Sequence, residues 1–503
     1  MSTVAVAAPS RNTMVAFIGL VLVMLIGALD ATIVATALPT IVSDLGGGDR
    51  YSWVVTAYLL SFTIVTPLYG KLGDLFGRKR LLMVALILFL AGSITSGTAQ
   101  SMDQLILFRF LQGIGGGGLL VGAQAGVADL FAPAKRGTYQ GIMGAAFSLA
   151  SVMGPLLGGM IVENASWRWI FLINVPIGIV AMILLRTLPN AAEKERKPID
   201  WLGSIFLALT LVGVITLTTF GDADIPWTSG AKFMAVCITF GFLAAFVLAE
   251  SRAKDPILPL ELFKVSQFAL SCIILLVVGL VLTGASTYLP IYWQTVKGMA
   301  PSMSGVELIP AMLGVVLTSL LSGRLISKTG RYRIFPILGM GLTALGLIAL
   351  STLSASTPQS LQMIYLFVLG AGLGCVVQVL VLATQNAVRF DLMGVATGGV
   401  TLFRSIGAAV GVAILGAIFS NTLAKSITGS MGADQVKQVV GMSPEDVNKL
   451  TVPQLTYVHD AYVDAIQQVF LASLPLALVA FFLAWFLREV KLDPERKGTG
   501  TAG

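Results

Sequence analysis

Runs of about 20 mostly apolar residues, enough for a helix to cross ~30 Å of hydrocarbon, recur fourteen times along the chain, separated by short and often basic segments. The pattern predicts spans at 14–38, 52–72, 81–99, 105–129, 137–161 and 169–188, and a middle pair at 200–220 and 231–249. Six more follow at 267–290, 304–327, 333–353, 361–386, 394–420 and 463–488. The first run follows Arg11 as a secretory leader would, but it is too long for a leader's apolar core and contains Asp30, so it reads as a span. The one long polar connection, 421–462, carries Lys425, Asp434, Lys437, Glu445, Asp446, Lys449 and the only histidine, His459. It reads as a polar external loop, with some helix, rather than a binding element.

Composition agrees with the pattern. Of 503 residues 56% are hydrophobic and 11% charged, against roughly 25% charged in soluble domains. Such a chain cannot hide its apolar surface in one soluble core, which excludes soluble enzymes, secreted scaffolds and disordered chains. The fold class is an all-α polytopic membrane protein. Cys237, Cys272 and Cys375 all lie in apolar runs, so no disulfide framework or metal ligand set is expected. The net charge of +7 does not imply nucleic acid, because the basic residues punctuate the spans. With both termini cytoplasmic, 23 Lys and Arg fall inside and 7 outside, with Arg109 and Arg404 within helices. The opposite orientation would invert the positive-inside rule.

The chain repeats itself at an offset near 253. Gly70, Leu72, Gly77, Arg78 and Arg80 match Gly323, Leu325, Gly330, Arg331 and Arg333, while Gly154 and Gly158 match Gly407 and Gly411. Leu38-Pro39 corresponds to Leu289-Pro290, two residues out of step. The expected plan is a tail (1–13), a six-helix bundle (14–188), an inserted helix pair with linkers (189–253), a second six-helix bundle (254–488) that includes loop 421–462, and a tail (489–503). Repeats of equal orientation imply a pseudo-twofold along the membrane normal with a site between the halves. That arrangement suits a rocking carrier and gives a channel no advantage.

Few side chains can carry chemistry inside such spans. Asp30 is a carboxylate in a membrane helix, costly when ionised and a proton or cation site by default; the bland alternative is a static pair with Arg109. Arg109 keeps its charge and must be satisfied, which makes it a tuner of a nearby proton site. Gly113, Gly115 and Gly118 formally spell a dinucleotide fingerprint, but no strand precedes them, so they read as close helix packing. Gly154, Pro155, Gly158 and Gly159 interrupt the fifth span as a kink, a pivot or a seal. In the loop 70–80, Gly70, Asp74, Gly77 and Arg78, with Asp129 as a candidate partner, suggest a breakable cytoplasmic gate. Glu307, near the outer end of the tenth span, is either a second cation site or interfacial. No phosphate loop, zinc motif or catalytic triad is present, so no cofactor is expected and energy must come from an ion or substrate gradient.

Taken together, these residues resemble the major facilitator superfamily and, within it, the fourteen-helix drug:proton antiporters. Residues 70–80 resemble the signature loop between helices two and three, and Arg109 with Gly113 the helix-four proton-transfer motif. Gly154-Pro155 with Gly158-Gly159 resemble the helix-five antiporter motif, with Ala150 where that motif often opens on glycine. Residues 29–39 and 167–176 look like the fourteen-helix branch. The resemblance implies a major facilitator fold of two six-helix bundles plus the inserted pair in a bacterial cytoplasmic (inner) membrane. It implies a monomer that exchanges protons for lipophilic, often cationic compounds, with membrane lipids as its only other partners. Export of a lipid or endogenous metabolite, and uptake by symport, are the alternatives.

Overall fold

In the computed structural model the described residues are 10–46, 50–189, 200–219, 229–431 and 452–489, and among them there is no β-strand. The first half consists of α1 (Arg11–Leu45), α2 (Tyr51–Phe76), α3 (Arg78–Gly97), α4 (Met102–Leu130), α5 (Pro133–Asn164), α6 (Trp169–Leu172) and α7 (Asn174–Leu185). The pair α8 (Trp201–Thr219) and α9 (Gly230–Arg252) follows. The second half contains α10 (Ser266–Ile291), α11 (Pro301–Val306), α12 (Ile309–Thr329), α13 (Ile334–Leu350), α14 (Gln359–Gly374), α15 (Val377–Ala387), α16 (Met393–Met431) and α17 (Val452–Ala484).

The ends of these helices follow from local chemistry. Ser10 caps α1 by accepting from Thr13 N at 3.2 Å, and Ser101 caps α4 by accepting from Gln104 N at 3.3 Å. Pro133 occupies the first turn of α5, where its missing N–H costs nothing. Gly77 and Gly330, aligned by the repeat, both adopt left-handed backbone, with φ of 87° and 71°. That conformation is easy only for glycine, and it lets α3 start one residue after α2 stops.

Twelve described helical stretches are long and apolar enough to cross a membrane. Two more, Trp169–Leu185 and Ile334–Leu350, lie at the sixth and eleventh expected spans but are shorter. Several expected boundaries need correction. Helix α1 begins at Arg11, inside the segment expected to be tail. The tenth span breaks at Glu307 and Leu308, and the twelfth at Cys375 and Val376. The expected loop 421–462 is partly helix, because α16 runs on to Met431 and α17 begins at Val452; the rest, 432–451, lies outside the described residues, as do the linker 190–199 and the tail beyond 489. Leu423 and Ile427 are buried, as are Val458, Ala461 and Tyr462. An amphipathic stripe thus carries the helices past the point where mean hydropathy drops.

The first half builds its own apolar cores, around Leu20, Phe89 and Leu119 and around Ile33 and Phe171. The second half's core extends to Leu207, Leu211 and Phe246 of the inserted pair. Helix α8 packs on α9 and also touches both α2 and α16.

Candidate functional site

Asp30 lies midway along α1 with no solvent exposure. Its Oδ2 accepts from Arg109 Nη1 at 2.6 Å, and its Oδ1 accepts from Gln112 Nε2 at 2.8 Å and Asn174 Nδ2 at 3.0 Å. Both amides also donate to Ser93 Oγ, at 2.6 and 3.0 Å. Arg109 donates in addition to Gln112 Oε1 at 2.7 Å, and its guanidinium carbon lies 4.1 Å from the centre of the Tyr58 ring. Five helices, α1, α2, α3, α4 and α7, thus surround one buried ion pair. Tyr58 Oη, Ser96 Oγ and Asn174 Oδ1 are buried nearby without partners among the described residues.

The glycines of α4 make this convergence possible. A Cβ at Gly113 would lie 3.1 Å from the Tyr58 carbonyl carbon, and one at Gly115 2.7 Å from Phe89 Cα. Without side chains there, α2 and α3 close onto α4 and Arg109 reaches Asp30 and Tyr58. Gly154 and Gly158 bring α5 against α1 in the same way: a Cβ would lie 3.1 Å from Ile33 N at the first and 2.7 Å from Ile33 O at the second. Gly159 faces open space. Pro155 sits inside α5, which runs unbroken to Asn164, so the expected interruption of the fifth span is a packing face and not a break.

At the basic end the two halves are in contact, an arrangement called the latch below. Asp74 Oδ1 accepts from Arg78 Nη2 at 2.8 Å, and Arg78 Nε meets Asp129 Oδ2 at 3.0 Å. Asp74 Oδ2 accepts from Val395 N at 3.0 Å, which sets a carboxylate on the N-terminus of α16, where the helix dipole favours negative charge. Gly70 lies against Gly394, and Gly323 against Gly137 and Gly141. The offset of 253 relates Gly70 to Gly323 and Gly141 to Gly394, so one contact is the repeat image of the other. Ser327, aligned with Asp74, likewise accepts from a backbone amide of the other half, Thr138 N, at 3.0 Å.

Above the latch lies a seam of neutral amides. Gln140 Nε2 donates to Gln385 Oε1 at 3.2 Å, and Gln385 Nε2 to Thr397 Oγ1 at 3.0 Å. Thr401 Oγ1 reaches Gln124 Oε1 at 3.4 Å, and Arg136 donates to Asn386 Oδ1 at 3.2 Å. Glu307 is not brought to Asp30. It is buried at the α11–α12 break and accepts from Gln359 of α14.

Sequence reasoning paired Arg109 with Asp30 and Arg78 with Asp129, but missed Ser93, Gln112, Asn174, Tyr58 and the amide seam. Gln112 had a signal, since it lies one turn from Arg109 on the same helix face; the others had none beyond being polar in apolar runs. Past the apolar stretch Arg11–Val34, Asp44 accepts from Trp167 Nε1 at 2.8 Å and Arg168 Nη1 at 3.0 Å. First the Trp167 hydrogen bond and then Arg168 hold its carboxyl below the ordinary 3.8.

The Major Facilitator Superfamily model matches residues 20–412. An uncharacterized MFS-type transporter of Mycobacterium tuberculosis is 40% identical over 488 residues, covering 96% of this chain and 70% of its own. The multidrug transporter protein MdtP of Bacillus subtilis is 34% identical, covering 95% and 93%. Multidrug resistance protein 3 of the same organism is also 34% identical, covering 94% and 95%. The solved proton:xylose symporter XylE superposes with a TM-score of 0.65 at 14% identity, covering 96% of this chain and 98% of its own, a likeness of fold alone.

Proposed function

The chain belongs to the major facilitator superfamily, and from that premise we propose that this multi-pass membrane transporter is a fourteen-helix drug:proton antiporter. It expels lipophilic, often cationic compounds across a bacterial inner membrane by alternating access, with both termini cytoplasmic. The multidrug names of relatives at 34% identity support the branch. The two shorter apolar helices support a count of fourteen. The repeat-related contacts at Gly70 and Gly323 support two six-helix bundles that rock about the inserted pair.

The observation that carries the mechanism is the fully buried Asp30 held by Arg109, Gln112 and Asn174. A buried ion pair is weak evidence for stability, because a hydrophobic replacement is often as good; a proton site is the stronger reason for it. In the latched state Asp30 is charged and paired. A proton arriving from outside neutralises it, weakens the hold of Arg109 and loosens α1 against α4 and α7. Loss of the proton to the cytoplasm, favoured when a cationic substrate enters, restores the pair. Asp74, Arg78 and Asp129 form and break the cytoplasmic gate in each cycle, and Gly154 and Gly158 transmit the movement of α1 to α5. Glu307 serves the outer mouth of the second half.

A second reading, export of a lipid or endogenous metabolite, is supported by an apolar groove of about 590 Å³ between α8, α9 and α16, lined by Val214, Phe240, Leu243, Ala413 and Ile414. The deciding experiment measures substrate-induced proton release from detergent-solubilised protein, and pH-gradient-driven transport in proteoliposomes, for wild type and Asp30→Asn. Loss of both in Asp30→Asn is expected. Equal proton release from the two proteins would move coupling away from Asp30.

A further inference from the structure

The mechanism above does not use Arg404, a charge deep in a membrane span. Arg404 lies eleven residues into α16, about 16 Å from its start at 1.5 Å per residue, close to the middle of a ~30 Å hydrocarbon layer. Its backbone is fixed from behind, because Gly279 of α10 packs directly on the Arg404 carbonyl. Its side chain leaves that interface and crosses toward the other half, where the guanidinium carbon lies 5.5 Å from the centre of the Phe147 ring on α5. It remains partly exposed there. One and two turns nearer the latch, Thr401 and Thr397 are buried in the amide seam with Gln124 and Gln385. Arg404 therefore stands beyond that seam from the latch, facing α5 of the other half.

Every other intramembrane charge in the mechanism has a hydrogen-bonding partner. Arg109 has Asp30 and Gln112, and Glu307 has Gln359. Arg404 has the Phe147 ring and, among the described residues, no carboxylate, carbonyl or amide acceptor. A guanidinium keeps its charge and presents five donors in a planar fork that matches two-oxygen anions. An unpaired charge at this depth is costly and marks a substrate or ion path. Asp30 and Arg109 cancel, whereas Arg404 faces a ring and no counter-charge among the described residues.

We propose that Arg404 and Phe147 form an anion-binding subsite of the transport chamber, which receives the carboxylate or sulfonate of a lipophilic aromatic substrate. The guanidinium takes the anionic oxygens and the Phe147 ring takes the apolar body. This rests on the exporter reading and widens its substrates from cations to lipophilic anions and zwitterions.

Three tritiated probes with one apolar body test it by equilibrium binding to the full chain in nanodiscs at neutral pH: naphthylacetate, naphthylacetamide and naphthylethylammonium. Wild type should bind the carboxylate about tenfold or more tightly than the neutral amide, the scale of one charge-assisted bidentate pair. Arg404→Gln should erase that preference while retaining the amide, and Arg404→Lys should restore part of it. Equal binding of carboxylate and amide by wild type, or an unchanged preference in Arg404→Gln, overturns the proposal. If Arg404→Gln does not fold, by its size-exclusion profile, the wild-type preference and its reduction in Arg404→Lys decide. Proton-driven transport of naphthylethylammonium by wild type is measured separately; its failure would sink the exporter reading and leave the binding result standing.

Discussion

Replacing Gly70 by alanine adds one methyl group at a point of backbone contact in the latch. A Cβ built there lies 2.9 Å from the Gly394 carbonyl carbon, 3.3 Å from Val395 Cα and closer still to the Gly394 oxygen. These are backbone atoms and cannot rotate aside. To reach ordinary carbon contact of about 3.5–4.0 Å, α2 and α16 must part by roughly half an ångström to an ångström. Forcing an extra methyl into a packed interface costs about 1–3 kcal/mol. The cost falls only on the state in which the two halves touch here, so it shifts the equilibrium toward the state open at this end by roughly 5- to 150-fold. The assay is a pulsed electron paramagnetic resonance distance measurement between spin labels at Phe76 and Thr329, both exposed at the basic end and on opposite halves. Wild type should give mainly the short distance, and Gly70→Ala mainly the long one. Gly323→Ala, whose Cβ would meet the Gly137 carbonyl carbon at 3.1 Å, should act in the same direction because it is the repeat image. Gly159→Ala, with nothing within 4 Å, should change nothing. A wild-type distance distribution in well-folded Gly70→Ala would refute the reasoning, since it would mean that this contact is not what holds the halves together.

Three further outcomes are expected. Arg109→Ala strands Asp30 in an interior with no solvent exposure; removing one partner of a buried pair costs about 3–5 kcal/mol, so its Tm in detergent should fall well below that of Arg109→Lys, and equal Tm values would contradict the pairing. Asp44 has a lowered pKa, so the stability it lends to docking α1 on Trp167 and Arg168 is fully present above 3.8 and is lost as pH falls below that value through the folded-state pKa. Fluorescence of Trp167, with the other tryptophans replaced by phenylalanine, should be flat from neutral pH down to about 4 and change below it, whereas a transition near neutral pH would assign the signal to another group. With Cys237, Cys272 and Cys375 replaced, a single cysteine at Ser356 should react with an impermeant maleimide in intact cells and one at Arg331 should not; the reverse pattern would invert the topology.

Much of this protein is local and so can be read from its sequence. Whether some 20 residues prefer hydrocarbon to water depends on those residues alone, which is why the runs of apolar positions find the helices. The repeat is equally legible: the glycines aligned at 77 and 330 both end a helix at positive φ, and those aligned at 70 and 323 make the same close approach. An averaged window is blind to shorter events, and it missed the breaks at Ile173, Glu307 and Cys375 and set the end of α16 too early. The partners of each charge are a different kind of fact. Nothing near Asp30 in sequence announces Ser93, Gln112 and Asn174, which come from three other helices, and nothing near Asp74 announces Val395, 321 residues away. Those pairings depend on how closely the helices can approach and how they are rotated, and both are set by small residues on several helices at once. Inside a low-dielectric layer each buried charge must find a partner or bear its full desolvation cost. The sequence could therefore say that Asp30, Arg109 and Arg404 needed partners, and only the packing of the helices decided which of them obtained one.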